Sequence, residues 1–127
     1  MYERRIRRGA AVLDRMRPGW RARVDVDELD VSSLELCVVA QVYDVPWYAA
    51  ADRYRDALVA LGAPRRSRWL RSRWAVRHGF DLPNFLLLPP PRATYRRLTD
   101  AWRTYLTTTT SEETHRGEAA SHVRGAA

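Results

Sequence analysis

An all-α fold follows from three features of the sequence: a single small domain of four or five helices over residues 1–106, carrying a flexible, disordered tail over 107–127. Apolar and aromatic residues recur at intervals of three and four in separate stretches. Proline and glycine stand where those stretches begin and end. No run alternates apolar with polar residues as a half-buried strand would. With 127 residues, 46% of them hydrophobic, the chain can bury one real core but not two.

The first helix runs from about Glu3 to Met16, with Ile6, Ala10 and Leu13 on one face and Pro18-Gly19 closing it. Next comes an acidic connector in which Asp25, Asp27 and Asp30 are interleaved with Val24, Val26, Leu29 and Val31. Its carboxylates superficially match a calcium loop. The turn glycine of such a loop is replaced by Asp30, however, and Leu36 stands where the bidentate glutamate belongs, so the segment reads as a solvated connector whose apolar residues enter the core. Leu34 to Tyr43 is apolar enough for a buried helix or a strand; Ser33 as an N-cap favours helix.

A further helix spans about Trp47 to Leu61, aligning Trp47, Ala51, Tyr54, Leu58 and Leu61, with Pro46 near its start and Gly62 just past its end. Ser67 to Arg77 forms a short helix with Trp69, Arg73 and Val76 on one face and Leu70 and Trp74 on another. Of its two tryptophans, Trp74 is the expected core anchor. Pro83 and Pro89 to Pro91 make 81–91 an extended crossover, and its apolar insert Phe85 to Leu88 must find a groove or stay exposed. The last packed helix aligns Tyr95, Leu98, Trp102 and Tyr105, with Pro91 at its boundary and Arg96, Arg97, Asp100 and Arg103 opposite. After Leu106 the only large apolar residue is Val123, too little to offset the entropy of ordering a tail. The expected core comprises Trp20, Leu36, Val39, Tyr43, Leu58, Leu61, Leu98 and Trp102.

No apolar run is long enough to span a membrane, and the N-terminus lacks a signal-peptide core, so a cytoplasmic protein is expected. The single Cys37 lies in an apolar run and reads as a buried, inert thiol. Walker, dinucleotide, zincin and nucleophile-elbow signatures are missing. The histidines are His78, His115 and His122, two of them in the tail. The sequence therefore points to no enzyme, no cofactor and no metal site.

All 22 basic residues are arginine, and the net charge of +7 is unevenly spread. Asp25 to Asp52 holds seven carboxylates and no arginine, whereas Arg53 to Arg77 holds eight arginines and one carboxylate, Asp56. The simplest use of such a bipolar chain is pairing of its two halves, within one molecule or between copies. Alternatively, Arg65, Arg66, Arg68, Arg71, Arg73 and Arg77, crowded around Trp69 and Trp74, form a surface for phosphates with a ring for stacking on a base. Lysine-free usage also follows from a GC-rich genome. The spacing from Leu36 to Tyr54 is compatible with a helix-turn-helix, but Asp44 replaces the turn glycine and Trp47-Tyr48-Ala49 stands where base-reading polar residues belong.

Gly9 to Asp14, Arg17-Pro18-Gly19-Trp20, Asp25-Val26-Asp27, Leu29-Asp30-Val31, Cys37 to Tyr43, Leu61-Gly62 and His78-Gly79-Phe80-Asp81, in this order, resemble a family of small uncharacterised proteins of actinobacteria and their phages. The resemblance covers about the first four-fifths of the chain and implies an actinobacterial or phage source, but no activity, ligand or catalytic residue. Arg65 to Arg73 and the tail depart from it.

Two function classes follow. One is a non-enzymatic module that binds nucleic acid through Arg65, Arg66, Arg68, Trp69, Arg71, Arg73 and Arg77. The other is a protein-interaction or regulatory protein, including a phage-encoded one, that docks on an acidic host surface or self-associates into a homo-oligomer through opposite charges.

Overall fold

The computed structural model describes residues 2–83 and 89–126, with side chains through residue 109. Five α-helices and two 3-10 turns make up its regular structure, and no strand occurs among the described residues. The Phe85 to Leu88 insert lies outside them. None of the helices so described is long and apolar enough to cross a membrane.

Helix α1 (Glu3–Met16) buries the stripe its spacing dictates: Ile6, Ala10 and Leu13, joined by Gly9 and Val12. Gly9 is there because nothing larger fits. A Cβ at this position would meet the carbonyl oxygen of His78 at 2.1 Å and the Phe80 ring at 3.0 Å. That carbonyl belongs to the turn that ends α4 (Arg68–Arg77), where Gly79 adopts a left-handed φ of 73° and Phe80 N–H returns to the Ala75 carbonyl at 2.9 Å. Past α1, a 3-10 turn over Trp20–Arg23 buries Trp20, whose Nε1–H donates to Asp14 Oδ1 at 2.7 Å.

The acidic connector is held by its own side chains and by neighbouring helices. Asp25 Oδ1 accepts from the backbone N–H of Asp27, and Asp30 Oδ1 accepts from that of Ser32, both at 3.0 Å. Val24, Leu29 and Val31 are buried and Val26 is half-buried, as the alternation predicts. Ser33, expected to cap a helix, caps a turn: its Oγ accepts from Glu35 and Leu36 N–H at 3.1 Å each. Helix α2 (Val38–Tyr43) therefore starts at Val38, and Leu36, expected in the core, stands 36% exposed on the turn. Tyr43 is half-buried, with the Arg17 guanidinium 4.6 Å above its ring.

Asp44, left-handed at φ 52°, ends α2. Pro46 then starts a 3-10 turn over Trp47–Ala49, and helix α3 (Ala50–Leu61) begins three residues later than the sequence pattern suggests. This break in helical phase throws Trp47 and Ala51 off the packed face, so Trp47 is 75% exposed, while Ala57, Leu58 and Leu61 remain buried. Gly62 stops α3 as predicted, at φ 119°, and Ala63 N–H returns to the Leu58 carbonyl.

Helix α5 (Arg92–Ala126) supplies the deepest side chains, Leu98, Trp102 and Leu106. Trp102, with no exposed surface, donates its indole N–H to the Gly79 carbonyl at 2.7 Å. Around it stand Trp20 edge-on at 6.3 Å and Phe80 stacked at 6.0 Å. Arg103, expected on the solvent side, instead reaches the connector and donates to the carbonyls of Val26 and Leu29 at 2.9 and 3.0 Å. Thr99 accepts from Val31 N–H at 3.1 Å beside it.

The predicted boundary at 106/107 is not a helix end. Backbone helix continues to Ala126, with the Thr107 hydroxyl donating to the Arg103 carbonyl and that of Thr109 to the Tyr105 carbonyl. Extending an established helix costs far less than starting one, which is why polar threonines follow the packed part without a break. Leu106 is the last buried residue among those described.

Two substitutions test this packing. Trp102→Ala, which empties the centre of the core, should lower unfolding free energy by about 3–5 kcal/mol in urea titration. Gly9→Ala forces α1 away from a backbone carbonyl and should cost about 1–3 kcal/mol, despite the better helix propensity of alanine.

Candidate functional site

The left-handed Gly62 and the following Pro64 reverse the chain after α3, and Ser67 restarts it as α4 by accepting Leu70 N–H on its Oγ at 3.1 Å. Arg65 and Arg66 sit on the reversal, with Arg68 and Arg71 on the first turn of α4. All four face Arg55 of α3 across an open groove of about 620 Å³, along which Val59 and Ala60 also lie. Asp56 is the sole carboxylate lining it.

Arg55 divides its guanidinium between Asp52 at 3.7 Å and Asp56 at 3.6 Å. Arg71 donates to the Arg65 carbonyl at 3.0 Å, which ties the helix to the reversal and holds the two arginines together. Among the described residues, Arg65, Arg66, Arg68 and Arg71 form no ion pair within 4.0 Å. No acidic residue occupies the first turn of α4, where the unpaired N–H groups of a helix favour negative charge. The groove thus concentrates cationic donors without internal neutralisation. The expected pairing of the acidic and basic halves within one molecule does not occur: the connector's carboxylates cap local turns and the groove's arginines face solvent.

Of the seven residues singled out in the sequence, Arg65, Arg66, Arg68 and Arg71 come together. Arg73 turns instead to Trp69, placing its guanidinium 4.8 Å from the ring centre, and Trp69 is 66% exposed. Arg77 lies at the opposite end of α4, beside His78. Trp74 points inward, stacked on His78 at 3.9 Å and tilted on Phe80 at 6.0 Å. The two tryptophans therefore divide as expected, one half-buried against the core and the other outside. Arg55 was missed; its signal is the helical spacing that aligns it with Val59 on the face turned to α4.

Trp47 and Tyr48 form a second exposed feature that the sequence reading placed in a helix. They meet edge-on at 5.9 Å, and Tyr48 borders a cleft of about 560 Å³ on the other flank of α3. This cleft shares Asp56 and Ala60 with the arginine groove. Helices α2 and α3 do follow one another around a tight turn, as in a helix-turn-helix. The six-residue α2 and the aromatic approach to α3 nevertheless differ from that motif's DNA-reading form.

The buried ionisable groups behave differently. Burial pushes the Cys37 thiol up to about 12, so at neutral pH it is a thiol and a poor nucleophile. Burial also raises Tyr54 and Tyr95, and the Asp81 charge opposes ionisation of both. Asp81 itself is raised by burial, although its Oδ1 accepts from Leu82 N–H at 2.8 Å and from the Tyr95 hydroxyl at 3.0 Å. Desolvation lowers His78, with Arg77 and Arg8 acting in the same direction. No cluster suited to a metal ion exists among the described residues. No family model, curated protein or solved structure matches the chain.

The raised Asp81 sets a pH dependence. Its unfolded form titrates near 3.8 and its native form higher, so between the two the native state holds more protons and its contribution to stability falls as pH rises. Asp81→Asn keeps an Oδ1 acceptor for both bonds while removing the buried charge. Thermal melts from about pH 3 to pH 7 should show Asn gaining on the parent as pH rises; parallel profiles would contradict the assignment.

Proposed function

We propose that this protein is a non-enzymatic nucleic-acid-binding module whose phosphate-binding surface is the groove between α3 and α4. One observation carries the reading: five arginines line a single groove that contains one carboxylate, and four of the five have no ionic partner among the described residues. Their forked guanidiniums suit phosphate oxygens, and crowding like charges is unfavourable until an anion neutralises them. A polyanion satisfies several at once and releases its condensed counterions. Its place of action in this reading is the cytoplasm, and its source, from the family resemblance, an actinobacterium or actinophage.

The second reading, docking on an acidic protein or on another copy, draws on the exposed carboxylates of the connector, including Asp25, Asp27 and Glu28, which no groove arginine neutralises.

Salt dependence separates the two. If four arginines each meet a phosphate, log affinity for nucleic acid should fall by about 3–4 per log unit of salt. Replacing Arg66, Arg68 and Arg71 together with glutamine should flatten that slope by two to three of these units, estimated at about 0.9 per phosphate. Its melting temperature should barely change, since no salt bridge is removed. Absence of salt-sensitive binding near physiological ionic strength overturns the nucleic-acid reading. A change in solution mass on the same substitution would instead support self-association.

A further inference from the structure

We infer that the nucleic acid taken by this surface is single-stranded, its bases stacking on Trp47, Tyr48 and Trp69 while its phosphates follow the arginines. This rests on the phosphate-binding reading above and deepens it.

Duplex binding through the arginines leaves three rings unexplained. Trp47 is 75% exposed, Tyr48 74% and Trp69 66%, the three largest exposures of any large hydrophobic residue described. An indole or phenol left in water forgoes the burial that usually stabilises it. These three are not scattered. Trp47 and Tyr48 precede the first turn of α3, and Trp69 lies in the first turn of α4, so the rings mark the entrances of the two helices that form the groove.

The surface between them is continuous. From Tyr48 the cleft along α3 passes Arg53 and reaches Asp56 and Ala60, which also border the arginine groove on the other side. Asp56 is the repulsive point on this route, and Arg55 lies 3.6 Å from it to offset its charge. Asp44 adds a second carboxylate at the Tyr48 end, leaving the strongest positive charge at the reversal and α4. At that end, Arg73 braces the Trp69 ring with its guanidinium 4.8 Å away.

Aromatic platforms separated by cationic clefts suit an unpaired strand. Every base has a face that can stack, which makes such binding tolerant of sequence. In a duplex those faces are already stacked on neighbouring bases. Base-edge recognition would require polar side chains at the start of the second helix, where Trp47 and Tyr48 stand.

Fluorescence anisotropy with labelled 12-nucleotide oligothymidylate, 12-nucleotide oligouridylate and a 12-base-pair DNA duplex, at one ionic strength, tests the inference. Either single strand should bind at least about tenfold more tightly than the duplex and quench tryptophan fluorescence, as expected from stacking. Trp69→Ala, and Trp47→Ala combined with Tyr48→Ala, should each weaken single-strand binding by about fivefold or more. Duplex affinity and the salt slope should stay unchanged, and Trp69→Phe should restore most of the Trp69→Ala loss. Duplex binding equal to or tighter than that of both strands, or full single-strand affinity in the alanine variants, overturns the inference while leaving the groove reading intact. If none of the three probes shows salt-sensitive binding, both fall together.

Discussion

The indole of Trp102 must satisfy its N–H while fully buried, and the Gly79 carbonyl 2.7 Å away does so. That one bond fixes the register of α5 against the turn ending α4. The turn can sit there because Gly79 accepts a left-handed conformation and Gly9 lets α1 approach a backbone carbonyl directly. Phe80 and Trp20 fill the remaining sides of the indole. Once the C-terminal end of α4 is held in this way, its N-terminal end faces α3, which brings the four arginines opposite Arg55.

Arginine serves two opposite purposes in this chain. Arg103 is consumed by the fold, donating to connector carbonyls at Val26, Asp27 and Leu29, and supplies what an irregular backbone cannot pair for itself. Gln41 holds the same connector from α2, accepting from Asp25 N–H and donating to the Leu36 carbonyl. The acidic segment is therefore ordered without ion pairs to the distant arginines. Those of the groove make no comparable bonds to the core, apart from the local contact of Arg71 with the Arg65 carbonyl, and so their charge stays available to a ligand.

Buried and exposed functional groups are equally separated. Cys37, Tyr54, Asp81 and Tyr95 are held in their neutral forms by desolvation, which opposes the formation of an anionic nucleophile or base among them. Their chemistry is structural, as the Asp81 bonds to Leu82 and Tyr95 show. The exposed surface instead combines rings with guanidiniums, groups that bind through stacking and charge.

Helical periodicity by itself determined the all-α class, the limits of α1, the glycine stop of α3 and the serine start of α4, because each rests on contacts within a few residues of its own position. Four groove arginines were legible for the same reason: they are neighbours in sequence. Tertiary structure decided what local spacing cannot encode. A one-turn change of helical phase at Trp47–Ala49 put Trp47 outside, a turn in place of a helix start exposed Leu36, and the length of the Arg103 side chain let it reach back across the fold. Arg55 joined the groove only because a left-handed glycine folded α4 back onto α3, and the separation of Trp69 from Trp74 required a core for one of them to face. Periodicity reports which residues share a face; only packing fixes what that face meets.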